Sequence, residues 1–194
     1  VDQIMSASGD CMRLVTLAPE IEGALQLVPH LCRRGIIASM GHSDATYEQA
    51  LAALNAGVTH VTHMYNGMRP FNHREPGIIG AALTDARPVI EIIADGFHVH
   101  PAAIKLLVVC RGSRSVELVT DAMRGAGMPP GCYLVGDHET YTTSGAARFA
   151  DGSLAGSILT FEVALSNVIA WTGLPLHRAL AMAGLNQARE LGLG

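Results

Sequence analysis

Short apolar runs and helix-spaced apolar positions alternate along much of this chain. Residues 13–19, RLVTLAP, form an apolar run that stops at Pro19 and predict a strand. Ile21, Ala24, Leu25, Val28 and Leu31 then keep helical spacing over 20–31, and Gly35 ends the connection. Residues 35–40, GIIASM, predict the next strand, broken by Gly41. Tyr47, Ala50, Leu51 and Leu54 mark the apolar side of a second helix, with Ser43 or Asp44 as its cap and Gly57 just past its end. Residues 58–62 predict a strand that delivers His63. Residues 88–94, PVIEIIA, predict another, ending before Asp95 and Gly96. A helix is expected over 101–110, and SVELVT, 115–120, is a strand ending before Asp121. Five β units separated by helices predict an α/β fold with helices outside a parallel sheet.

The rhythm breaks between 124 and 157. Short strands are expected at 133–135, 139–142 and 147–149, with Asp151-Gly152 as a turn, forming a β-rich excursion over the mouth of the sheet. Helices return at 159–171 and 175–183, with Pro175 in the first turn of the second. Five strands do not close an eight-stranded barrel, and an open edge leaves backbone groups unsatisfied. Either the sheet is small and open, or a substantial upstream part belongs to the same protein. The second is the expectation, and the chain does not start with Met.

Composition narrows the classes. Apolar residues make up 49% and charged residues 15%, which fits a buried, helix-covered sheet. A formal charge of -4 offers no basic surface for nucleic acid. The four cysteines are far apart with no CxxC, so a reducing cytoplasm is expected. No run reaches the length of a membrane span, and no membrane partner is expected. Aromatic content of 5% argues against a carbohydrate module built on stacking platforms.

His42 in GHSD and His63 in THMYN follow two successive strands. A parallel barrel collects its chemistry at the carboxyl ends of its strands, where the two imidazoles can meet and hold a zinc-like ion. Strand alternation puts Val61 and His63 on one side and His60 and Thr62 on the other, leaving His60 for packing or for supporting the site residues from behind. A catalytic zinc takes three protein ligands, and no third is obvious. Glu20, in LAPE, suits a capping or supporting role. Asp121 ends an apolar run and can move a proton beside an activated water; a helix cap is the plainer alternative. Asp95 and His98, in ADGFHVHP, lie on the same rim. His98 is placed to donate to a sugar oxygen or a carbonyl, whereas His100 opens a helix. Arg74, in NHREPG, offers a bidentate fork to phosphate or a surface ion pair to Glu75. Asn66 and Gly67 can offer side-chain and backbone donors to the same anion, with Asn72 and His73 as weaker versions. GSLAGS, 152–157, is a tight turn or lid element. There is no GxGxxG after a strand, no phosphate-binding GxxxxGK[ST] loop and no HExxH helix.

Together TLAPE, GHSDAT, THMYNGM, REPG, IIADGFHVHP, LVTDAM and DGSLAGS resemble the N-acetylglucosamine-6-phosphate deacetylase family of the amidohydrolase superfamily, in the family's order and across almost the whole chain. The resemblance implies a (β/α)8 TIM barrel of which roughly strands 4–8 are present. Residues 1–194 are then a partial metal-dependent hydrolase barrel domain with its β-rich excursion at about 124–157, the first strands and a small β domain lying outside them. It further implies His42 and His63 as metal ligands and Asp121 as catalytic acid/base. His98, Asn66 and Gly67 are implied as substrate-binding, as are Leu154, Ala155 and Gly156, which line the sugar pocket. Arg74 reaches the phosphate site of the neighbouring subunit in a homodimer. The implied cofactor is a divalent metal, zinc or another first-row ion, as one or two ions. The family's glutamate ligand sits in an HLEGP-like motif that this sequence does not contain, and Glu20 is not its match. The expected reaction is metal-dependent removal of the N-acetyl group from N-acetylglucosamine 6-phosphate. The alternatives are the N-acetylgalactosamine 6-phosphate epimer, or a noncatalytic half-barrel that serves structure or interaction.

Overall fold

The computed structural model describes residues 2–143 and 145–193. They fall into two compact units, residues 1–90 and 91–194. The first unit opens with helix α1 (Asp2–Ser8) and then repeats strand and helix: β1 (Leu14–Leu17), α2 (Ala24–Cys32), β2 (Ile37–Met40), α3 (Tyr47–Ala56), β3 (His60–Val61) and α4 (Gly77–Thr84). Strand β4 (Val89–Ile93) carries the chain into the second unit. Pairing is parallel, with Leu14 beside Ile37, Ser39 beside His60 and His60 beside Val89. Val28 and Leu31 of α2, Ala50, Ala53 and Leu54 of α3, and Ile78 and Ile79 of α4 are buried, as are Met40 and Val61 of the strands. These helices cover the sheet because their apolar side chains have no other place to leave water.

Three local expectations are corrected. Helix α2 starts at Ala24, not at 20, because Gly23 adopts φ 83 and the chain turns over residues 18–23. Ile21 is accordingly 63% exposed instead of facing the core. The cap of α3 is Thr46, not Ser43 or Asp44. Its hydroxyl accepts from Gln49 N–H while the Gln49 side chain accepts from Thr46 N–H, a capping box readable in TYEQ. Helix α4 was not anticipated at all. Its sequence, GIIGAALT, lacks a polar face, and six of its eight residues are buried, so it carries no amphipathic period.

In the second unit, α5 (Pro101–Arg111) leads to β5 (Val116–Val119), which follows β4 in the strand order β1-β2-β3-β4-β5. Strands β6 (Gly131–Val135), β7 (His138–Thr143) and β8 (Ala146–Phe149) form a separate antiparallel sheet where the short strands were expected. Helix α6 (Phe161–Thr172) follows. The last helical stretch, expected to end at 183, continues through α7 (Leu176–Leu180), a π turn (Ala181–Leu185) and α8 (Asn186–Glu190). Polar side chains explain the extension. Asn186 Nδ2 donates to the Ser113 and Val116 carbonyls, and Gln187 Nε2 donates to those of Leu118 and Met182. Asn167 on α6 does the same for Ala94 at the end of β4. Buried carbonyls at strand ends need such partners, and hydrophobic spacing cannot reveal them. The architecture is a partial (β/α)8-barrel-like parallel sheet with its associated helices.

Candidate active site

Four non-glycine residues adopt positive φ among the described residues: His42 at 48°, His63 at 25°, Tyr65 at 79° and Asp121 at 47°. Three of these are the residues singled out for metal binding and proton transfer. Left-handed backbone at a non-glycine residue costs on the order of 1–3 kcal/mol and persists where its surroundings over-determine it. His42 lies two residues past β2, His63 two past β3 and Asp121 two past β5. Each therefore sits at the carboxyl end of its own strand.

The first unit shows how the histidine loops are held. Ser43 N–H donates to the Gly67 carbonyl at 2.8 Å, and Arg69 N–H donates back to Ser43 at 3.2 Å. Glu20 accepts from the Ser43 hydroxyl at 2.5 Å and from Asp44 N–H at 2.7 Å, tying the loop after β1 to the loop after β2. Asp44 forms a two-point pair with Arg69 at 3.0 and 2.8 Å, and that hydrogen bonding holds its carboxyl below the ordinary range. Beneath them Thr62 bridges Thr16 and Ser39 through its hydroxyl. Gly41 permits the close approach, since a Cβ there would meet Thr62 Cβ at 2.9 Å.

This bracing brings the imidazoles of His42 and His63 together. Their Nε2 atoms are 2.8 Å apart, with ring planes at 84°. Two imidazole nitrogens this close together are donors of the type that one transition-metal ion recruits. The pair fits as two members of a catalytic set that takes three protein groups. Gly67, at φ 58, packs on the outer side of His42: a Cβ there would lie 2.8 Å from His42 Nδ1. Gly67→Ala is therefore expected to displace the His42 ring, weaken metal binding in a calorimetric titration and cost about 1 kcal/mol or more of stability. Unchanged metal affinity would show that His42 does not need this contact.

The neighbouring predicted residues have distinct surroundings. The Asn66 amide nitrogen donates to the His63 and Met64 carbonyls, so it shapes the loop that presents Gly67. Arg74 is exposed on a turn where its backbone N–H donates to Asn72 Oδ1. Glu75 is engaged elsewhere: it accepts from Tyr47 N–H at 2.8 Å and Gly77 N–H at 3.2 Å.

In the second unit, Asp121 is exposed and no helix follows it directly, so it does not act as a helix cap. Its carbonyl accepts from Ser157 N–H at 2.8 Å, Met123 N–H donates to Ser157 at 2.9 Å, and the Ser157 hydroxyl donates to the Thr120 carbonyl. The turn at 152–157 thus braces Asp121. Gly156, at φ 70, is closely placed, since a Cβ would lie 3.2 Å from the Asp121 carbonyl. Ala155 is buried and its N–H donates to Ala147, while Leu154 bridges to Arg148.

His98 and Asp95 form a nearly enclosed pair, 7% and 4% exposed, with Nδ1 2.6 Å from Asp95 Oδ2. Asp95 Oδ1 accepts from the N–H groups of Phe97 and His98, both at 2.8 Å. Burial pushes the Asp95 carboxyl up, but these three hydrogen bonds together hold it below its ordinary value. As expected, His100 starts α5, its ring accepting from Ala102 N–H. The partnership of Asp95 with His98 was not foreseen. Its signal was an Asp preceding Gly and closing an Asx turn onto its own downstream amides.

No protein-family profile matches the chain. Individual relatives do. It is 47% identical to N-acetylgalactosamine-6-phosphate deacetylase of Escherichia coli O157:H7 over 193 residues, covering 100% of this chain and 51% of that protein. It is 49% identical over 131 residues to a protein of Escherichia coli (strain K12) provisionally named N-acetylgalactosamine-6-phosphate deacetylase, covering 68% of this chain and 78% of that one. It also matches, with a TM-score of 0.95 and 39% identity, an aspartate-to-alanine variant of N-acetyl-D-glucosamine-6-phosphate deacetylase from Mycobacterium smegmatis in complex with N-acetyl-D-glucosamine-6-phosphate. That match covers 99% of this chain and 52% of the solved one. The chain spans about half the length of most curated relatives it matches.

Proposed function

Because the chain belongs to the N-acetylglucosamine-6-phosphate deacetylase family of the amidohydrolase superfamily, we propose that the protein hydrolyses the N-acetyl group of N-acetylglucosamine 6-phosphate. The products are glucosamine 6-phosphate and acetate. The observation that carries this reading is the convergence of His42 and His63, Nε2 to Nε2 at 2.8 Å, on left-handed backbone past two parallel strands. Barrel enzymes place their chemistry at such strand ends.

A divalent ion, zinc or another first-row metal, held by His42 and His63 with a further protein ligand, supplies Lewis acidity and an acidified water when bound. Asp121 takes a proton from the attacking water as its oxygen bonds to the acetyl carbon. Asp121 then returns that proton to the sugar nitrogen as the C–N bond breaks. Its exposed carboxylate, on a backbone braced by Ser157, suits repeated proton exchange. His98 positions the sugar, and Leu154, Ala155 and Gly156 line its pocket. Asn66 shapes the phosphate loop in which Gly67 presents its backbone. Arg74 extends to the phosphate of the neighbouring subunit in a homodimer, a role supported by its exposure and by the engagement of Glu75 with other groups. The four free cysteines fit a reducing, cytoplasmic setting.

Acetate release from N-acetylglucosamine 6-phosphate, its galactosamine epimer and unphosphorylated N-acetylglucosamine tests the reading. Turnover of the phosphorylated sugars is expected, and no acetate from either would end it. Deacetylation of the galactosamine epimer is a second reading, favoured by the 47%-identical relative; a higher kcat/KM on that epimer would establish it. Arg74→Ala is expected to raise KM about 10–100-fold, matching the roughly 1.5–3 kcal/mol of a hydrogen bond to a charged group, with metal content unchanged. An unaltered KM would take Arg74 away from the phosphate.

A further inference from the structure

The pairing of His98 with Asp95 fixes which ring nitrogen of the histidine carries a hydrogen towards the carboxylate. An ionised carboxylate only accepts hydrogen bonds. Asp95 already takes two backbone N–H groups on Oδ1, so Oδ2 at 2.6 Å requires a hydrogen on His98 Nδ1. In a neutral imidazole the other nitrogen then bears the lone pair. Nε2 has no hydrogen-bond partner among the described residues. We propose that Asp95 is a positioning residue that locks His98 in the Nδ1–H form, so that neutral His98 accepts a hydrogen bond from a substrate hydroxyl or amide N–H and does not donate to a carbonyl.

The geometry makes this a designed constraint on the ring. One carboxylate folds residues 95–98 through its two backbone bonds and orients the imidazole through the third. Gly96, at φ 80, supplies the turn that brings His98 back over Asp95. The ring is nearly enclosed, so solvent does not offer Nδ1 an easy substitute partner. A carboxylate behind a functional imidazole sets its tautomer and direction in the same way as the acidic partner of a histidine in a catalytic triad. On this inference His98 takes a hydrogen where the sequence reading has it donate, and the group it meets supplies that hydrogen.

The inference rests on the proposed amino-sugar phosphate reaction for its kinetic consequence, but not for the tautomer. Asp95→Asn separates the two. Its Oδ1 retains both backbone bonds, while its NH₂ faces His98 Nδ1 and donates to it, driving the proton to Nε2. The tautomer of His98 is read by ¹⁵N NMR of histidine-labelled full chain, wild type and variant. Wild type is expected to show protonated Nδ1 and the variant protonated Nε2, with unchanged thermal midpoints. The variant's kcat/KM on N-acetylglucosamine 6-phosphate is expected to fall about 10–100-fold, mostly through KM. Asp95→Glu, which restores an acceptor, is expected to recover the Nδ1–H signal.

A wild-type signal from protonated Nε2 overturns the inference without any variant. Inverted nitrogen signals in Asp95→Asn with unchanged kcat/KM also overturn it. A loss of activity accompanied by a lowered melting point and no tautomer change assigns Asp95 a merely structural role and does the same. If the wild-type protein releases acetate from neither sugar phosphate, the functional reading falls on that assay, and the nitrogen spectra still decide how Asp95 holds His98.

Discussion

Replacing Asp121 with asparagine is expected to lower kcat about 10²–10⁴-fold, the range that a positioned general acid–base supplies. Metal content and melting point are expected to stay at wild-type values. Asparagine is the substitution that isolates the proton function, because it tolerates left-handed backbone better than most residues and Asp121 sits at φ 47. The bond that holds this position runs from Ser157 N–H to the Asp121 carbonyl, not to its side chain. The side chain is exposed, so little packing is at stake. What changes is one ionisable oxygen. A variant that turns over at the wild-type rate removes Asp121 from the proton path, and one that also loses metal or stability assigns it a structural task.

The second large effect concerns the imidazole pair. His42→Ala is expected to weaken divalent metal binding by at least about 100-fold, more than the 10–100-fold lost with an outer-shell partner. His42 is the better probe because it is exposed, whereas His63 is buried and its removal also disturbs packing. Linkage provides a readout independent of catalysis. A ligand at 100 times its Kd stabilises the folded state by about 2.7 kcal/mol. Adding zinc is thus expected to raise the melting point of the wild-type chain and to leave that of His42→Ala almost unmoved. Equal shifts in both proteins would locate the metal elsewhere.

Much of the architecture was legible because apolar burial leaves a periodic trace. The strands at 14–17, 37–40, 89–93 and 116–119 fall inside the apolar runs, and the helices between them follow the 3.6-residue spacing. The short strands of 131–149 were visible for the same reason. Helix α4 was not, because an almost wholly apolar segment has no contrast between faces. Nor was the extension of the final helix to Glu190, which depends on Asn186 and Gln187 reaching backbone carbonyls 69–73 residues away in the chain. The cap at Thr46 is legible in TYEQ, next to the more conspicuous polar residues Ser43 and Asp44.

Residue types and their positions past the strands already pointed to His42, His63, His98 and Asp121, since the order of elements places each beside the end of a strand. Direction was a separate matter. Whether two imidazoles face one point depends on Glu20 holding Ser43, on Gly67 fitting against His42 and on backbone angles near the left-handed region. Which nitrogen of His98 faces a carboxylate, and so carries a hydrogen, depends on a 2.6 Å contact with Asp95. Periodicity records which side chains leave water, a property that survives averaging over a whole segment. Orientation and protonation are set by single contacts of a few ångströms, many between distant residues, and they exist only once the chain has folded.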